Sequence, residues 1–276
     1  MPNELETKNR LLAARYGTDF DLTSTPVAWN ETLDLLVRHR TVRKYLVQPV
    51  DDALINTVAV AAQSAASASN LQTWSVVEVR DPATIREISA VCTQPHVAAA
   101  PAVLVWVADF SRVQTIAETT GENAESIQYV DTLLSLVLDV GIASQNAVVA
   151  AESLGLGTVY LGSVRNNAQR ISELLDLPHL TIPMVGLSVG WPDPSEDADI
   201  KPRLPLKTVL HHEKYDTEAF GPALEEYEPI SAEYYRRYNL GESWTERVHE
   251  RAVDGRSERN KAYMTQWLKD QGFSLT

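Results

Sequence analysis

The run SIQYVDTLLSLVLDVGIASQNAVVAAES, Ser126 to Ser153, decides how the rest of this chain is read. Ile127, Val130, Leu133, Leu134, Val137, Leu138, Ile142, Val148 and Val149 recur at helical spacing, yet they go nearly all round the helix, with few charges between Asp131 and Glu152. A helix that is apolar on every side is buried on every side. One small domain rarely surrounds a helix this long, so part of it is expected to pack against another subunit. Gly155 and Gly157 follow and read as its stop.

Outward from that helix the chain alternates strands and helices. Thr158 to Leu161 reads as a short strand, Gly162-Ser163 as a turn, and Asn166 to Leu175 as a helix. Ile182 to Val189 is another strand, closed by Gly190-Trp191-Pro192. On the N-terminal side, Pro101 to Val107 reads as a strand buried on both faces, and Thr73 to Val79 as an alternating strand rich in β-branched residues. Pro82 to Cys92 is a helix. Asp51 is placed to cap another, with Leu54, Ile55, Val58 and Ala62 as its inner stripe. Glu31 to Arg38 is a short apolar helix. Residues 1–30 read as an arm with a short helix, peripheral to any site, and residues 222–276 as amphipathic helices with Tyr227, Tyr234, Tyr235, Tyr238, Trp244 and Trp267 on their apolar sides.

The chain has 276 residues and 44% hydrophobic residues, enough for a substantial core. A formal net charge of -13 argues against nonspecific binding to nucleic acid or to an anionic membrane. The single cysteine, Cys92, excludes an intrachain disulfide framework. The opening Met-Pro-Asn-Glu-Leu-Glu carries neither the basic nor the apolar region of a secretory signal, so the cytoplasm is the expected compartment.

Against that acidic background two cationic stretches stand out: Arg38-His39-Arg40-Thr41-Val42-Arg43 and Lys201-Pro202-Arg203. Guanidinium groups and a hydroxyl at fixed spacing suit a phosphate. On an extended segment Thr41 and Arg43 share one face while Arg40 and Val42 share the other. Taken by itself the first stretch reads better as a solvated basic patch at a helix end. Gly155-Leu156-Gly157 with Gly162 is not a dinucleotide fingerprint, because a helix rather than a strand precedes the first glycines. His211-His212-Glu213 reads as a surface loop, and no metal site is expected. Cys92, on an apolar helix face, is a poor nucleophile candidate.

Five stretches in order resemble the FMN-dependent nitroreductase family, in its oxygen-insensitive major nitroreductase and NADPH-flavin oxidoreductase branch. They are Arg38 to Arg43; Ser67-Ala68-Ser69-Asn70-Leu71-Gln72-Thr73-Trp74; Gln145-Asn146-Ala147 with Ala150 to Gly157; Tyr160-Leu161-Gly162-Ser163-Val164-Arg165-Asn166-Asn167; and Gly190-Trp191-Pro192 with Lys201 to Pro205. The resemblance implies an α+β, nitroreductase-like fold: a central, mostly antiparallel sheet flanked by helices, in an intertwined homodimer with a C-terminal helical extension. The implied division is an arm over 1–30, an FMN-binding core over 31–215 and the extension over 216–276.

It further implies that His39, Arg40, Thr41 and Arg203 hold the phosphate of FMN, supported by Asn166, and that Arg43 and Lys201 contact the pyrimidine side of the ring, with Gln94 also at the ring. Tyr160 and Leu161 lead into Gly162 and Ser163, which would bring a backbone N–H near flavin N5. Ser67, Ala68, Ser69 and Gln72 would form a loop contributed by the partner subunit. The implied reaction is double displacement. NADPH or NADH reduces the flavin at N5, and a quinone, nitroaromatic or related small molecule takes two electrons from the same face, with no side chain acting as nucleophile. Ala68, Asn70 and Ser163 depart from residues common in the branch, and Arg236-Arg237 do not register with its NADPH-gripping arginines, so both nicotinamides stay open as donors. The alternative is a low-turnover flavin-binding dimer that stores flavin or senses redox state.

Overall fold

The structure, a computed structural model, describes residues 4–17, 20, 25–255 and 261–276. The rest of the expected arm and of the C-terminal helical stretch lies outside the described residues. In chain order the main elements are α1 (Glu4–Tyr16), α2 (Glu31–Arg38), α3 (Asp52–Gln63), β1 (Trp74–Val79), α4 (Pro82–Cys92), β2 (Ala102–Asp109), α5 (Ser111–Thr119), α6 (Val130–Ser153), β3 (Gly157–Leu161), α7 (Ala168–Leu174), β4 (Thr181–Gly190), α8 (Phe220–Arg237), α9 (Trp244–Val248) and α10 (Met264–Asp270). They fall into two compact units: residues 4–40 with 197–255, and residues 41–196 with 261–276.

The second unit holds the sheet, wholly antiparallel in the order β1-β2-β4-β3. Every residue of β2 is buried, because it lies between two other strands and both of its faces are covered. Leu104, Trp106 and Ala108 point into a core shared with α3 and α6, and Val103, Val105 and Val107 point into another that contains Val42, Ile88, Cys92, Leu161 and Ile171. Helix α4 has the bounds its sequence predicts for local reasons. The Asp81 side chain accepts the Thr84 N–H at 2.8 Å, Pro82 opens the first turn, and Thr93 closes the helix at φ +53.

Two expectations for the long helix change. A separate 3-10 turn, Glu125–Gln128, precedes α6, which starts at Val130. Gly155, at φ +83, ends α6, whereas Gly157 opens β3 and is required by packing, since a Cβ there would lie 2.7 Å from the side chain of Val42. Leu136, Val140, Ala143, Ala147 and Ala151 bury one side of α6, while Val130, Leu134, Val137, Leu138 and Ile142 remain exposed within the chain.

In the first unit α1 buries Leu11, Leu12 and Arg15, and α8 buries Ala223, Tyr227, Ser231 and Tyr235 at four-residue spacing, one stripe of a helix.

Candidate active site

Within the first unit, both cationic stretches are tied to one side chain that the sequence pattern places outside any site. Arg15, 7% exposed, donates from Nε to the Val37 carbonyl at 3.0 Å, from Nη2 to the His39 carbonyl at 2.5 Å and from Nη1 to the Lys201 carbonyl at 2.8 Å. Its own carbonyl accepts the Arg203 N–H at 2.8 Å. The arm is thus not peripheral to His39, Lys201 and Arg203. The available signal was an arginine at i+3 and i+4 from Leu12 and Leu11, on the apolar face of a helix.

Helix α8 holds the 199–203 segment from its other side. The Tyr227 hydroxyl donates to the Pro202 carbonyl at 3.3 Å and the Tyr234 hydroxyl to the Asp199 carbonyl at 3.2 Å. Burial, reinforced by the neighbouring Tyr235 and opposed by Arg203, pushes the Tyr227 hydroxyl up to about 12, so it stays a donor at neutral pH. His39 and Arg40 are half-buried, as is Lys201, while Arg203 is exposed. Lys201 and Arg203 line a cavity of about 420 Å³ with Tyr16, Tyr227, Tyr235 and Trp244. Arg237 lies 3.8 Å from Asp197 and 3.9 Å from Asp199.

In the second unit, Thr41 to Arg43 lies outside any helix or strand. Val42 is buried and donates its N–H to the Thr158 carbonyl at 2.9 Å; Arg43 is exposed and its N–H reaches Glu196 Oε1 at 2.8 Å. Gln94 follows the left-handed Thr93, and its amide donates to the Ser163 hydroxyl at 3.1 Å. Asn166 donates to the Val91 carbonyl at 3.3 Å. Gly162, just after the buried Leu161, is open: an added Cβ would meet only the Arg165 guanidinium, at 3.6 Å. The Tyr160 hydroxyl donates to Ser144 of α6 at 3.1 Å, and burial raises it above the usual phenol range. Tyr263, which no sequence motif singles out, braces this turn: its oxygen accepts the Ala168 N–H at 2.6 Å and donates to the Arg165 carbonyl at 2.9 Å. The Cys92 thiol is buried and raised by burial, opposed by its contact to Ser163, which leaves it an unreactive thiol.

The Ser67–Gln72 loop is anchored by another residue that no motif singles out, Asp139 of α6. Asp139 accepts from the Ser67 hydroxyl at 2.6 Å, the Ala68 N–H at 2.9 Å and the Thr73 hydroxyl at 3.2 Å. The Ser67 oxygen in turn accepts the Gln72 N–H at 2.8 Å. Ser67 thus spends its hydroxyl inside the chain, while Ala68, Ser69 and Gln72 face outward. The structure therefore brings together His39, Lys201 and Arg203 through Arg15, Gln94 with Ser163, and Ser67 with Gln72.

An antiparallel α+β sheet unit with an open glycine turn, together with a helical unit that gathers cationic segments in an acidic chain, defines the class. Residues 36–191 match the nitroreductase family and residues 201–276 the nitroreductase family C-terminal domain. The chain belongs to the nitroreductase family of enzymes. It is 36% identical over 248 residues to the oxygen-insensitive NADPH nitroreductase of Salmonella typhimurium, covering 88% of this chain and 98% of that one. To the FMN reductase (NADPH) of Bacillus subtilis it is 31% identical over 252 residues, 89% of this chain and 99% of that one. The solved structure of B. megaterium NfrA2 superposes with a TM-score of 0.83 at 32% identity, covering 90% of this chain and all of that one.

Proposed function

We propose that this chain is an FMN-dependent NAD(P)H oxidoreductase that passes two electrons to quinones, nitroaromatics or related small molecules by double displacement, as a cytoplasmic homodimer. The observation that carries the reading is the donor set. His39, Arg40, Lys201 and Arg203 supply cationic and hydrogen-bonding groups to one compact unit of a chain whose net charge is -13. That set fits the phosphate of FMN. The turn at Gly162, where an added Cβ would meet only the Arg165 guanidinium, and the amide and hydroxyl of Gln94 and Ser163 suit the edge of a flat heterocycle.

Bound FMN supplies two-electron transfer between a nicotinamide and the acceptor. The chain's own residues bind and tune. His39, Arg40, Thr41 and Arg203 hold the phosphate, with Asn166 in support. Arg43 and Lys201 set positive charge on the pyrimidine side, where it favours an electron-rich ring. Gln94, Tyr160, Leu161, Gly162 and Ser163 border the ring, and Ser67, Ala68, Ser69 and Gln72 reach the site of the other subunit.

The test is the visible spectrum of the purified protein before and after anaerobic NADPH and, separately, NADH. A yellow protein that bleaches within the turnover time supports the reading, and the faster donor names the nicotinamide. Lys201→Ala is expected to slow bleaching or weaken FMN retention by about tenfold, the scale of one charge-assisted contact. Wild-type behaviour in both would remove Lys201 from this role. The second reading, a flavin store or redox sensor, draws on Arg237, which lies near Asp197 and Asp199 and so offers a weakened grip on an NADPH phosphate. A yellow protein that stays yellow with either nicotinamide selects it.

A further inference from the structure

We propose that Arg15 is a positioning residue for the phosphate end of the flavin site, and that α1 is a working part of that site. The inference rests on the FMN reading above. A guanidinium has five N–H donors and no acceptor, so burying one is costly unless its donors are used. Here three hydrogen bonds run to main-chain carbonyls, and those carbonyls belong to the two cationic stretches and the turn leading into them.

Val37 lies in the last turn of α2 and His39 is its C-cap. Carbonyls at a helix end lack intrahelical partners, and a cation there also suits the helix dipole. Lys201 is 186 residues from Arg15 in sequence. The reverse bond, from the Arg203 N–H to the Arg15 carbonyl, makes the link two-sided.

Arg15 thus fixes the backbone from which His39, Arg40, Lys201 and Arg203 project, and these four bonds consume none of those side chains. Helix α1 is equipped to anchor Arg15. Leu11 and Leu12 are buried beside it, and Lys8 Nζ donates to the Val27 carbonyl at 2.5 Å. Arg15 and α1 precede both matched segments, residues 36–191 and 201–276, whereas the four residues they hold, Val37, His39, Lys201 and Arg203, lie inside them.

The test compares FMN with riboflavin, which lacks the phosphate, in equilibrium titrations of the full-length apoprotein followed by flavin fluorescence. Wild-type protein is expected to prefer FMN. Arg15→Met, which keeps the bulk and removes the donors, is expected to lose about tenfold or more of that preference, with a smaller change in riboflavin affinity. Arg15→Lys, which reaches fewer carbonyls at once, is expected to fall between the two. A merely structural role would weaken both flavins alike.

Arg15 variants that keep the wild-type preference for FMN overturn the inference and leave the FMN reading standing. A wild-type protein that binds the two flavins equally overturns the phosphate reading itself, and the inference with it. Should Arg15→Met fail to fold, Arg15→Lys decides: an unchanged preference rejects the proposal, and a loss of about threefold or more sustains it.

Discussion

Replacing Asp139 by alanine is expected to lower the unfolding free energy by about 2–4 kcal/mol, because it strands three donors that now share one side chain. Asp139 is 1% exposed in the middle of the largely apolar helix α6, and its oxygens accept from Ser67, Ala68 and Thr73. Those bonds hold a loop with an intrinsic cost. Ser69, Asn70 and Gln72 sit at φ of 48°, 57° and 53°, in the left-handed region that non-glycine residues avoid. Without the anchor the loop relaxes toward ordinary backbone, and the outward-facing Ala68, Ser69 and Gln72 lose their fixed presentation. Asp139→Asn keeps the shape but turns one acceptor into a donor, so about 2 kcal/mol is expected. Urea unfolding of the two variants beside wild type checks both values. A loss below about 1 kcal/mol for Asp139→Ala would mean that water replaces the carboxyl without penalty.

The features legible in the sequence are those decided within a few residues of themselves. Strand β2 could be read because eight consecutive residues are buried and proline precedes them. Helix α4 could be read because the proline that opens it and the turn residues that follow it are local signals. The Ser67–Gln72 loop is marked by its small and amide side chains.

What stayed hidden depends on distant chain. Arg15 reaches residues 22, 24 and 186 positions away. Asp139 serves a loop 66 to 72 positions earlier, and Tyr263 braces a turn almost a hundred positions before it. Gly157 looked like a helix stop because the need for it comes from Val42, on a neighbouring segment that no local pattern reveals. Buried polar groups of this kind are disfavoured unless paired, and pairing is a tertiary property.

If the chain forms the homodimer proposed above through this helix, charging the outer face of α6 is expected to leave a monomer. Within one chain Leu134 is 56% exposed and Leu138 62% exposed, and with Val130, Val137 and Ile142 they form a continuous apolar side. Each large apolar side chain moved from water into an interface contributes about 1.5–3 kcal/mol, so a surface of this kind is costly to leave wet and gainful to cover with its own copy. The double variant Leu134→Glu, Leu138→Glu reverses the sign, since two carboxylates without partners would enter each half of a symmetric interface. Light scattering after gel filtration should report half the wild-type mass. The inner side of α6, including Asp139, is untouched, so the far-ultraviolet circular dichroism should remain that of a folded chain. If the partner's Ser67–Gln72 loop completes the flavin site, FMN affinity should fall with the mass, although the substituted leucines are not among the residues assigned to the flavin. A variant that stays dimeric would move the interface off this face. A monomer that keeps full FMN affinity would leave the interface in place and remove the partner's loop from the site.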